Sequence, residues 1–103
     1  MENIRELMGQ TITAIDDVVE MFYQQKTQEA YAQLDPVLGK LLSTIETVMA
    51  YQQEHTELEI DIDGLTAALK EALSAMEEKD AILMADVLKY EVIEKLEVIA
   101  SLV

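Results

Sequence analysis

The chain of 103 residues has no cysteine. Disulfides, thiolate zinc sites and thiol nucleophiles are therefore excluded. It has one proline and three glycines, and so few chain breakers favour a few long helices over many short strands. Basic residues are scarce as well. Seven Lys and Arg stand against 21 Asp and Glu, a formal net charge of -14. Nucleic acid is a poor partner for such a chain, because binding it requires cations that displace counterions. An anionic membrane surface is disfavoured for the same reason. No run reaches the ~18 apolar residues of a membrane span. The opening stretch MENIRELMGQTITAID lacks a basic region followed by an apolar one, so a signal peptide is not expected. The expected location is the cytoplasm.

Half of the residues are apolar, which argues against a disordered chain. A chain of this length forms one domain at most and buries roughly two thirds of its unfolded surface. The acidity keeps an oily domain soluble, or steers it toward a basic partner.

Projection at about 100° per residue predicts four helices, over about 3–25, 27–53, 62–78 and 80–102. In the first, Ile4, Leu7, Met8, Thr11, Ile12, Ile15, Val18, Val19 and Phe22 share one face, and Gly9 lies on the polar side. Thr27 is the expected N-cap of the second. Its apolar face runs from Ala30, Tyr31 and Leu34 through Leu38, Leu41, Leu42, Ile45, Val48 and Met49. Pro36 interrupts that run. Either Asp35 caps a fresh helix with Pro36 at its first position, or one helix continues with a kink. The unbroken apolar phase favours the kinked helix. Between the second and third helices, Leu58, Ile60 and Ile62 alternate with acids, so the segment is extended with its apolar side on the core. Asp61 or Asp63 caps the third helix and Asp80 the fourth. The fold class expected is all-α, an antiparallel up-and-down four-helix bundle.

Candidate chemistry is thin. Glu59–Gly64 imitates the start of a calcium loop, but the twelfth position, where a bidentate glutamate belongs, is Lys70. The lone histidine, His55, forms no Glu-x-x-His pair of the di-iron kind and is expected in a solvent-exposed loop. Ser43, Ser74 and Ser101 have no histidine partner set by a motif. No phosphate-binding glycine loop is present. No enzyme, no cofactor, no metal site and no small-molecule substrate is expected. The methionines, among them Met8, Met21, Met49, Met76 and Met84, read first as gap-filling core.

The fourth helix, around AILMADVLKYEVIEKL, is the unusual one. Ile82, Ala85, Leu88, Val92, Ile93, Leu96, Ile99 and Ala100 fall on one face, yet Leu83, Met84 and Val87 are apolar outside it. Asp86 sits at the margin with Tyr90 beside it. Asp86 either accepts a hydrogen bond from a neighbouring helix, or joins Tyr90 and Glu91 as the polar rim of a contact surface centred on Leu83, Met84 and Val87. Lys89 must snorkel outward or pair with an acid. The surplus predicts a protein-interaction module that forms a symmetric dimer or takes a client helix. The alternatives are a helix that is merely more buried than the others, and weak metal binding at Glu59–Asp63.

The stretches LMADVLKYEV and FYQQKTQEAYAQLDPVL resemble small all-helical bacterial proteins of unassigned function. Those proteins carry Leu-x-Ala-Asp-x-Leu-x-Tyr-Glu near the C-terminus, matched here by Leu83, Ala85, Asp86, Leu88, Tyr90 and Glu91. In size and helix layout the chain is also similar to flagellar export chaperones of the FliS type, helical bundles that hold a flagellin tail. The N-terminal signature of that family is not present. The resemblance implies a chaperone or adaptor.

Overall fold

Asn3 starts the first helix by accepting a hydrogen bond from the Glu6 amide at 2.8 Å, which satisfies one orphan donor of the first turn. The structure, a computed structural model, describes residues 3–103. Among them there are four helices and no strand. They are α1 (Ile4–Tyr23), α2 (Thr27–Glu54), α3 (Ile62–Glu77) and α4 (residues 81–102). α4 is continuous through three parts, with Ala81–Val87 and Glu94–Leu102 α-helical and Leu88–Ile93 between them a π-helical turn.

Two helix ends share one device. Gln25 and Lys79 adopt left-handed backbone with φ of 63° and 61°. After α1, the Lys26 amide donates to Met21 C=O at 2.9 Å and the Gln25 amide to Phe22 C=O at 3.1 Å. After α3, Asp80 donates to Ala75 C=O at 2.9 Å and Lys79 to Met76 C=O at 3.0 Å. This is the Schellman closure, usually built on glycine. The residue that completes each closure, Lys26 or Asp80, is also the N-cap of the next helix. The cap expected at Thr27 is thus displaced by one residue. Lys26 holds the position, makes no side-chain cap, and leaves Thr27 as the first helical residue. Asp61 and Asp80 do cap, accepting from Gly64 and Leu83. α2 runs through Pro36 without interruption, so Asp35 does not start a new helix.

α1 packs on α2 and on α4, and α3 packs on α4. Met8, Ile15, Val19, Phe22, Leu34, Leu41, Leu65, Leu88 and Leu96 belong to one core. The Phe22 and Tyr31 rings meet edge to face at 5.0 Å. Within this core lies one polar contact. The hydroxyls of Thr11 on α1 and Thr44 on α2 are both fully buried and 2.7 Å apart. Each also lies within bonding distance of the carbonyl four residues back, Leu7 at 2.9 Å and Lys40 at 2.8 Å. Two hydroxyl protons cannot fill three bonds, so at any instant one threonine donates to the other, which donates to its own helix.

α2 departs from its expected face. Leu42 and Met49 are exposed, because the helix is covered mainly by α1 and its apolar arc is wider than one neighbour. The connection from α2 to α3 is organised by Gln52. Its amide nitrogen donates to His55 C=O at 3.1 Å and Leu58 C=O at 2.9 Å, and its amide oxygen accepts from the Ile60 amide at 3.2 Å. Ile60 and Ile62 then rest against the core. His55 is half-buried rather than free in solvent. Its ring stacks on Tyr51 at 4.0 Å, with Nδ1 3.0 Å from Tyr51 C=O.

Candidate functional site

The π-helical turn decides which side of α4 is available. An extra residue in a turn rotates everything beyond it by about 100°. Before the turn and at its start, Met84, Ala85, Val87 and Leu88 are buried; from its later part onward, Val92, Ile93, Leu96 and Ile99 are. On a uniform wheel these two stripes are centred roughly a quarter turn apart. A single wheel fitted to the second stripe therefore misplaces the first half of the helix. It puts Ile82 in the core, whereas Ile82 is 52 % exposed. It puts Met84 and Val87 outside, whereas they are 2 % and 3 % exposed. The contact surface expected at Leu83, Met84 and Val87 is thus not a surface, since two of its three residues are core.

The remaining expected residues divide between two sides of α4. Leu83 and Tyr90 are exposed. Asp86 is half-buried and accepts a hydrogen bond from the Tyr23 hydroxyl of α1 at 2.5 Å. Tyr23 is pushed well above its ordinary pKa, first by burial, then by this bond and by the charge of Asp86. Lys89 pairs with no acid among the described residues and turns instead toward an aromatic ring. Its ammonium stands 5.9 Å from the centre of the Tyr23 ring, at the limit of a cation–π contact. Glu91 turns the other way, toward Glu71 of α3. Burial, the charge of Glu71 and a hydrogen bond between the two carboxyls raise its pKa, and Lys95 opposes them.

Two grooves flank the C-terminal half of α4. One, of about 350 Å³, lies toward α1 between Ile12, Thr13 and Asp16 on one bank and Tyr90 and Ile93 on the other. The second, of about 590 Å³, lies between the C-terminal half of α4 and the segment carrying Glu59 and Asp61. Val98, Ile99 and Leu102 supply its apolar surface. Glu94 and Glu97 border both. Lys95 pairs with Asp61 at 3.7 Å. Val98 and Leu102 are exposed, at 62 % and 39 %. A uniform wheel had left these two aside; their spacing of four on an outward edge was the available signal.

The family model described as Domain of unknown function (DUF8042) matches residues 1–101. The chain belongs to the DUF8042 family. No curated protein and no solved structure gives a significant match to this DUF8042 chain.

Chemically, the outer side of α4 offers apolar contact and carboxylates. Among the described residues, no three His, Asp or Glu side chains gather to hold a metal ion. In the Glu59–Asp63 stretch, Asp61 is engaged as the cap of α3 and with Lys95. Ser101 donates to Val98 C=O at 2.6 Å within its own helix. No helix of the described residues is long and apolar enough to cross a membrane.

Proposed function

We propose that this DUF8042 chain is a non-catalytic, cytoplasmic interaction module that binds another protein through the outer side of α4. One observation carries the reading. Of the large apolar residues exposed among the described residues, five lie on α4 (Ile82, Leu83, Tyr90, Val98 and Leu102) and two on α2 (Leu42 and Met49). Apolar surface concentrated on one element marks an interaction site more often than scattered residues do. Of the expected rim residues, Tyr90 serves beside Leu83, whereas Asp86 is engaged by Tyr23 and Glu91 faces Glu71, and Met84 and Val87 support the helix from within.

The scaffold in this reading is an antiparallel up-and-down bundle with α2 kinked at Pro36. In support, three-residue connections join α1 to α2 and α3 to α4. Contacts also join opposite ends of neighbouring helices, the start of α1 to the end of α4, the end of α1 to the first half of α4, and the first half of α1 to the second half of α2. Arg5 reaches Val103, Tyr23 reaches Asp86, and Thr11 reaches Thr44. Proline removes one backbone donor and crowds the preceding turn, which is the reason for a kink. A chaperone or adaptor of the flagellar export type is the version of this reading in which the partner is a client helix, and the groove beside Val98 and Leu102 favours it.

Photo-crosslinking in cells tests the proposal. A photoreactive residue at Leu83, Tyr90, Val98 or Leu102 should give adducts with another protein. The same residue at Gln33, Glu46 or Ser74, exposed on α2 and α3, should not. Equal labelling from all positions, or none from α4, would sink it.

A further inference from the structure

The groove between α4 and the 59–61 segment has an apolar surface and a rim of one charge. Glu59, Asp61, Glu94 and Glu97 line it, and the single cation there, Lys95, is paired with Asp61. Val98 and Leu102, four apart, leave one face of two successive turns uncovered. From Glu94 to Leu102 the groove follows about 12 Å of helix, enough for two turns of a second helix. We propose that this groove holds a basic amphipathic helix of another protein, its apolar residues on Val98 and Leu102 and its Lys or Arg residues against Glu94, Glu97 and Glu59. The inference rests on the binding role proposed for α4 and names the chemistry of the partner.

Charge selects this occupant over the others. A second copy of the chain would bring another -14 to a surface already acidic, and like charges face to face cost several kcal/mol. Nucleic acid is repelled in the same way. A cationic helix gains twice, since the acidic surface speeds its approach and the rim carboxylates fix its register. Helix-in-groove recognition also suits the open shape of the site, where apolar anchors at i and i+4 give affinity and flanking charges give direction.

The test uses the full chain and a fluorescein-labelled Leu/Lys peptide of about 18 residues, long enough to hold a helix. Its leucines follow the helical period. A scrambled peptide of equal composition and a Leu/Glu analogue serve as controls. Fluorescence anisotropy should show the amphipathic basic peptide binding at least roughly tenfold tighter than the scrambled one, and the Leu/Glu analogue not binding. Glu94→Lys with Glu97→Lys, and separately Val98→Asp with Leu102→Asp, should each weaken binding by roughly tenfold or more. All four residues are exposed, and circular dichroism checks that the variants stay folded. Equal binding of the scrambled peptide would overturn the inference, since it needs only diffuse attraction. If Leu83→Asp abolishes binding while both groove variants retain it, α4 still binds but not here, and this inference alone falls. If none of the α4 variants changes binding, the role proposed for α4 falls with it.

Discussion

Gln25 and Lys79 hold equivalent positions at the ends of α1 and α3, both in left-handed backbone. A side chain there costs about 1 kcal/mol that glycine avoids. Gln25→Gly and Lys79→Gly should each raise stability by about 0.5–1 kcal/mol in urea denaturation, against the usual sense of a glycine substitution. The threonine pair makes a different prediction. Thr44→Val removes the interhelical bond but leaves Thr11 donating to Leu7 C=O, so the cost is about 1 kcal/mol. Adding Thr11→Val removes the last buried hydroxyl of the pair at similar shape, and the double variant should lie closer to wild type than the two single costs added together. Thr11 was visible as an apolar-face position in the sequence. Its partner was not, because only the packing of α2 on α1 brings Thr44 to it. Gln52 was invisible for a related reason. A glutamine on a helix reads as solvated until the chain beyond it turns back and presents its carbonyls.

Among the expected caps, Asp80 stands where the sequence placed it and Asp61 is one of the two candidates offered, because an aspartate before an apolar run accepts from the first-turn amides, whereas Thr27 yields its place to Lys26. The element that misled was α4. Its stripe was read at one constant pitch, and no residue type announces the π-helical turn at Leu88–Ile93. The mark it left was the apparent surplus, namely apolar residues on too many sides. The same turn lies alongside the Glu71–Glu91 contact between α3 and α4. Glu91 has a folded-state pKa raised above its ordinary 4.5. The folded protein therefore takes up that proton before the unfolded chain does, and the contribution to stability is present at acid pH and lost as pH rises through the raised value. Melting temperature should accordingly climb as pH is lowered from neutral toward the carboxylate range. Glu71→Gln should flatten the climb relative to wild type, and an unchanged slope in that variant would exclude the pair as its cause.

For the whole molecule, the charge of -14 on 103 residues acts against compaction through self-repulsion. Salt shortens the Debye length from about 30 Å at 0.01 M to about 10 Å at 0.1 M. Thermal melts should therefore shift upward over that range, while light scattering shows a monomer throughout. The acidity and the all-helical class were plain from composition. The binding face was not, because it depends on which apolar residues the core takes first, and that is set inside α4. Everything proposed for the outer side of this helix presumes that Met84 and Val87 are core and that Ile82 is free. Urea unfolding of Met84→Glu and Ile82→Glu, followed side by side by circular dichroism, tests this directly. Ile82→Glu should stay within about 0.5 kcal/mol of wild type, while Met84→Glu should lose more than about 3 kcal/mol or fail to fold. The reverse order, with Met84→Glu tolerated and Ile82→Glu unfolded, would mean that α4 keeps one uniform stripe, and the face described here would be the wrong one.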